Sequence, residues 1–259
     1  MQRRRFLAGT AVAVAYTGCL DRNTETQQDQ PTPDPETDVD GDGFTVCQER
    51  NLLSSAEVGR MDIFVEVGWT PGVRPGSDAF ERLVEVYDSA PVEATYGAER
   101  GVNLHIEYGN ELPTQSEPVA GSDVQRLADE YFDNHGYGYH YAVFVDELLG
   151  DGLGWARDGL IAVQATDLPE EFSLIEIFAH ELGHSLGLER DVFRGIDSHD
   201  TPFEVYPSIM NYAALHEFEE EYLDFSDGTN SENDFDDWGF IEENVYTPNR
   251  SELQSSENC

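Results

Sequence analysis

Residues 180 to 187 read His-Glu-Leu-Gly-His-Ser-Leu-Gly, and this run constrains the chain more than any other. On a helix an i, i+4 pair lies on one face, so His180 and His184 can direct both imidazoles at a single tetrahedral zinc ion. Glu181 then stands beside the metal as a general base. Zinc lowers the pKa of bound water from 15.7 to about 7, and a neighbouring carboxylate can take that proton and later return it to a leaving amine. The chemistry this points to is peptide-bond hydrolysis, with a peptide or protein as substrate.

The stretch ahead of this run alternates between two apolar periods. Period-two or continuous apolar segments at 61–69, 102–108, 141–145 and 159–165 predict strands. Between them, 77–90 and 122–134 repeat apolar residues at helical spacing, with Phe80, Leu83, Val84 and Tyr87 inward in the first and Val124, Leu127, Ala128 and Tyr131 in the second. The expected class is therefore α+β. The zinc helix has two possible starts, Asp167 before Pro169 or the capping-box pair Ser173 and Glu176, and Gly187 is a natural left-handed stop. Beyond Tyr212 the chain is acidic at 217–221 and 224–237. Trp238, Phe240 and Ile241 there suggest a last docked helix.

Charge limits the partners. The 259 residues carry 53 Asp and Glu against 14 basic residues, all of them Arg, for a formal net charge of −39. Such a surface repels phosphates and anionic lipid, so nucleic acid is excluded as a partner and the body of the protein has no affinity for membranes. Concentrated salt, which shortens the Debye length to about 3 Å at 1 M, makes this self-repulsion tolerable, and the bias resembles that of halophilic proteins. Met1 to Gly18 holds Arg3-Arg4-Arg5-Phe6-Leu7 and a short apolar run, and resembles a twin-arginine export signal. Tyr16-Thr17-Gly18-Cys19 resembles a lipobox, so Cys19 is the expected lipid anchor at the outer face of the membrane. The alternative is cleavage and release. Residues 19–37, punctuated by Pro31, Pro33 and Pro35, read as a tether. Outside the cell Cys47 and Cys259 are expected to be oxidised, although spacing alone does not show whether they meet. A monomer is expected.

A second metal motif follows the tether. Asp38, Asp40 and Asp42 occupy positions 1, 3 and 5 of a twelve-residue loop, Gly43 the sharp turn at position 6 and Glu49 position 12. This is the oxygen-donor pattern of a calcium-binding loop, here without a preceding amphipathic helix. The expected organisation is therefore a signal at 1–18, the tether at 19–37, a calcium loop at 38–49, a catalytic domain at 50–250 and a tail at 251–259.

HExxHxxG at 180–187, together with Ser208-Ile209-Met210-Asn211-Tyr212, resembles the metzincin metallopeptidases, and the resemblance runs from about Arg60 to Tyr212. It implies a zincin-like fold: a twisted, mostly parallel sheet with two packing helices, an active-site helix and a small irregular C-terminal subdomain carrying the methionine turn. It further implies His180 and His184 as zinc ligands, Glu181 as base, Met210 as the turn methionine and Tyr212 as a hydroxyl that assists the oxyanion or merely packs under the site. The strand before the helix, 159–165, would bind substrate as an added strand.

One position departs from the family. Where metzincins place a third His, three residues after the Gly, this chain has Arg190, which stays protonated and cannot ligate. His199, Asp191 and Asp197 are the candidates to replace it, His199 foremost because imidazole suits zinc, with a glutamate on a later helix as the remaining alternative. His105, His135, His140 and His216 lack ligand spacing. Two other functions remain open: a catalytically silent protein that keeps the fold for binding at the cell surface, and a calcium-dependent adhesion or matrix protein.

Overall fold

The computed structural model describes residues 32–169, 173–213, 222–254 and 259. The signal, the lipobox with Cys19, most of the tether, His216 and the acidic run at 217–221 lie outside the described residues. Elements follow in the order α1 (Val46–Asn51), β1 (Asp62–Trp69), α2 (Glu81–Asp88), β2 (Asn103–Glu111), α3 (Gly121–Tyr131), β3 (His140–Val145), β4 (Gly154–Arg157), β5 (Leu160–Gln164), α4 (Leu174–Ser185), α5 (Asp237–Asn244) and α6 (Ser251–Gln254).

Five strands form one sheet in the order β2-β1-β3-β5-β4. All neighbours are parallel except β4, which runs antiparallel to β5 at one edge. The α+β class with a mostly parallel sheet therefore holds. The central strands β1 and β3 are buried along their whole length, as expected of parallel strands covered on both faces. Alternate side chains sort to two layers. Ile63, Val65 and Val67 of β1 with Ala142 and Phe144 of β3 pack under Leu83 and Tyr87 of α2 and under Phe178, Ala179 and Leu182 of α4. Tyr141, Val143 and Val145 of β3 face Val124, Leu127 and Ala128 of α3 on the other side. Each fully buried aliphatic or aromatic side chain of this kind contributes roughly 1.5–3 kcal/mol relative to exposure, so the inward stripes read from the sequence are what hold α2 and α3 to the sheet.

Two elements differ from the sequence expectation. The run at 159–165 is neither a full strand nor an edge: β5 begins at Leu160 and lies between β3 and β4. Asp158 and Gly159 form the two-residue turn joining β4 to β5, with φ of 52° and 83°. Positive φ at both positions is the mark of the tight hairpin turn whose twist matches the flanking strands, and Asp-Gly is its common sequence. The short α1 is the other addition, capped by the Thr45 side chain on the Gln48 N–H and by Gln48 reaching back to Thr45. Cys47 of α1 is bonded to Cys259, closing a sequence separation of 212 residues. No helix among the described residues is long and apolar enough to cross a membrane.

Candidate metal centre

The capping box decides the start of the helix that carries His180 and His184. Ser173 accepts from the Glu176 N–H and Glu176 accepts from the Ser173 N–H, so α4 begins at Leu174 rather than near Asp167. Gly187, at φ 106°, turns the chain away after Leu186. Along α4 the two histidines lie one turn apart, edge to face, with ring centroids separated by 4.8 Å.

Their hydrogen bonds fix the tautomers. His180 Nδ1 lies 2.9 Å from the Ile209 carbonyl and His184 Nδ1 lies 2.7 Å from the Leu188 carbonyl. A carbonyl can only accept, so both Nδ1 atoms carry hydrogen and, in neutral rings, both Nε2 atoms present lone pairs. Those lone pairs face each other at 3.2 Å, and Asp197 Oδ1 stands 3.1 Å from one and 3.2 Å from the other. Three acceptors thus converge on one point with no donor among them, an arrangement that requires a cation or captured protons. Burial opposes charge on His184, but the Asp197 hydrogen bond and the Glu181, Asp197 and Glu189 charges outweigh it and lift the imidazole to about 9. Burial likewise opposes the Asp197 carboxylate, yet its two histidine partners hold it well below the usual range. Two imidazole nitrogens and one carboxylate oxygen with space beside them fit a catalytic zinc set.

The third member of the cluster is an aspartate. Asp197 completes the cluster with His180 and His184. His199 does not join it: it is exposed, and its ring lies against Tyr212 at 4.8 Å. Asp191 and Arg190 are exposed as well. Asp197 is aimed by its backbone. It sits at φ 55°, a left-handed conformation that Asp tolerates better than most residues, and its N–H donates to the Met210 carbonyl at 2.9 Å.

Met210 is fully buried beneath α4, where Gly183 makes room for it. A Cβ on Gly183 would collide with the Met210 sulfur and come within 2.9 Å of the Phe225 ring. The methionine turn is fixed from below by Asp237. This buried carboxylate accepts from Tyr206 Oη at 2.7 Å, from Ser208 Oγ at 2.5 Å and from the Ser226 N–H at 3.0 Å. Tyr212 stacks on His180 with centroids 5.3 Å apart. Burial, with Asp197 beside it, pushes its hydroxyl up to about 12, so that it remains a donor at neutral pH.

Glu181 borders a cleft of about 470 Å³ with His180, His199, Tyr212, Leu153 and Gly154. Burial raises its carboxyl above the ordinary value, against the lowering influence of the two histidines. Gly154, the first residue of edge strand β4, lies directly on the carboxylate: any Cβ there would collide with Glu181. The strand beside the cleft is therefore β4, not the 159–165 run.

The calcium-loop residues also gather. Asp38, Asp40 and Asp42 form one cluster, and Asp42, Glu49 and Asp62 a second that shares Asp42. Asp62, the first residue of β1, was not legible as a member of this cluster because in the sequence it is one polar position at the start of an apolar strand. Burial first, and then neighbouring carboxylates, push Asp40 up to about 6 and Glu49 up to about 8. The remaining described histidines are structural: His105 stacks on Phe64, His135 meets Phe132 and His140 bonds Ser185 from full burial, which pulls its pKa down to about 3. Comparison with protein families and with curated proteins finds no match to this chain.

Proposed function

We propose that the chain is an exported, zinc-dependent endopeptidase of metzincin type, anchored at the outer face of the membrane through Cys19. The observation that carries this reading is the meeting of the His180 and His184 Nε2 lone pairs with Asp197 Oδ1, beside a cleft bordered by Glu181. His180, His184 and Asp197 would hold the ion. When bound, zinc supplies Lewis acidity toward the scissile carbonyl and toward water. Glu181 accepts the proton of the attacking water and delivers it to the departing amine, and its burial, which raises its proton affinity, suits both steps. The Tyr212 hydroxyl donates to the oxygen that gains charge as the carbonyl becomes tetrahedral. The exposed edge of β4 pairs with the substrate backbone, and Gly154 keeps that edge close to Glu181.

The rival reading, a silent binding protein, draws on Arg190 in place of the usual ligand. With Asp197 at the cluster and Arg190 exposed, that substitution no longer removes a ligand. The test is zinc content together with casein cleavage in high salt, comparing the purified protein with Glu181→Gln. One zinc per chain in both proteins, with cleavage only in the parent, is expected. Zinc binding without any cleavage that depends on Glu181 would overturn the enzyme reading.

A further inference from the structure

The loop from Asp38 to Glu49 leads into α1 without any element before it, yet it is not a surface appendage. Asp38 organises it internally, accepting from the Gly41 N–H at 2.8 Å and the Gly43 N–H at 2.9 Å, with Gly43 at φ 92°. Asp40 and Asp42 each spend one oxygen on the main domain: Asp40 Oδ2 accepts from the Gly59 N–H and Asp42 Oδ2 from the Asp62 N–H, both at 3.0 Å. Their other oxygens stay with the loop. Glu49 is different. It is 2% exposed, and both of its carboxylate oxygens are buried without any hydrogen-bond partner.

A carboxylate withdrawn from water with both oxygens unsatisfied costs several kcal/mol unless a cation meets it. The groups nearest to it deepen the problem, because Asp42 and Asp62 bring further carboxylate oxygens within 4.8 Å of those of Glu49, and all three residues are buried. Asp62 pairs with His105 Nε2 at 2.5 Å, which is charged only when protonated. The donor set is all oxygen, the geometry is a flexible loop plus a fixed strand, and a bidentate glutamate stands at its end. Hard, large divalent ions of the calcium kind choose such sites, whereas zinc prefers the nitrogen-rich cluster on α4.

We propose that Asp38, Asp40, Asp42 and Glu49, joined by Asp62 from β1, bind one calcium ion that clamps the N-terminal loop to the first strand of the sheet. The ligand from outside the loop is what makes the site a clamp. In an ordinary helix-loop-helix site, the ion orders two helices. Here it ties the loop to the central sheet, and through the Cys47–Cys259 bond it also secures the C-terminus. The proposal is independent of the zinc reading, since no residue is shared between the two clusters.

The experiment titrates calcium chloride into the purified, zinc-loaded chain in high sodium chloride, by calorimetry and by thermal melting. One ion per chain and a melting rise of roughly 5–10 °C at about one hundred times Kd are expected. Glu49→Gln and Asp62→Asn should each weaken binding about tenfold or more, while Asp129→Asn on the exposed face of α3 leaves it unchanged. Zinc content should be the same in all variants. Absence of calcium binding in the parent, or binding that survives Glu49→Gln, overturns the site. Loss in Glu49→Gln with full retention in Asp62→Asn overturns the clamp. If Glu49→Gln does not fold, the parent titration and Asp62→Asn decide alone.

Discussion

Asp237 offers the sharpest test of how the methionine turn is held. The residue is 0% exposed and accepts three hydrogen bonds, from Tyr206, Ser208 and the Ser226 N–H. Replacing it with Ala strands three buried donors. At about 1–3 kcal/mol for each unsatisfied group, and allowing the two hydroxyls to turn elsewhere, the loss comes to about 3–5 kcal/mol. In a domain of this size that lowers the melting temperature by about 6–20 °C. Asp237→Asn keeps the shape and an acceptor for Ser208 and Ser226, with Tyr206 rotating to accept from the amide, so it should cost only about 1 kcal/mol at pH 5. Burial raises the Asp237 carboxyl from 3.8 to about 7 even though its three donors oppose the shift. A folded pKa above the unfolded one means that its stabilisation is complete below pH 3.8 and is lost as pH rises through about 7. The Asn variant, which does not titrate, should therefore gain on the parent between pH 5 and pH 8. Denaturant melts at those two pH values, in constant high salt, measure the gap. A gap that widens in the parent's favour with pH, or an Ala variant that melts within 2 °C (about 1 kcal/mol or less) of the parent, would refute the reasoning.

Two further outcomes follow from the site. Asp197→Ala should weaken zinc retention, in competition with a chromogenic chelator, by more than the roughly 10–100-fold typical of losing a residue that merely supports a ligand. His199→Ala should leave zinc retention nearly unchanged, and the reverse ranking would restore His199 as the third ligand. Gly154→Ala places a methyl group against the Glu181 carboxylate. Cleavage should fall about a hundredfold from misplacement of the base, with zinc content and melting close to the parent; undiminished cleavage would separate Glu181 from the reaction.

What the sequence made legible was whatever repeats locally. The α4 ligand pair, its capping box and its glycine stop are all set within one short segment, and the inward faces of α2 and α3 follow from spacing alone. Asp197 was not legible at the same level. Its place depends on an N–H bonded to Met210, thirteen residues further along, and counting forward from Gly187 cannot see that bond. Imidazole preference puts His199 first on chemistry, while backbone direction brings Asp197 to the cluster. The β4 edge was legible in principle through Asp158-Gly159, but Gly154-Trp-Ala-Arg has too few alternating residues to stand out as a strand. Asp62 and Asp237 carry no motif at all. Their roles arise from burial among groups distant in sequence, Asp42 and Glu49 for one, Tyr206 and Ser208 for the other.

The turn that carries Met210 aligns two members of the cluster formed by His180, His184 and Asp197. Two successive carbonyls of the turn perform the alignment: that of Ile209 accepts from His180 Nδ1, and that of Met210 accepts from the Asp197 N–H. One segment therefore sets the ring orientation of His180 and the backbone of Asp197, while His184 is oriented separately by the Leu188 carbonyl. Asp197 is thus positioned through its own main chain, and the segment before it is tied down as well, with Ile196 fully buried and Phe193 packed on Tyr206 and Phe235. Substitutions that shift the turn should therefore lower zinc affinity and stability together, whereas changes at exposed positions of the preceding loop, such as Asp191, should spare both as long as the Asp197 bond to Met210 is kept.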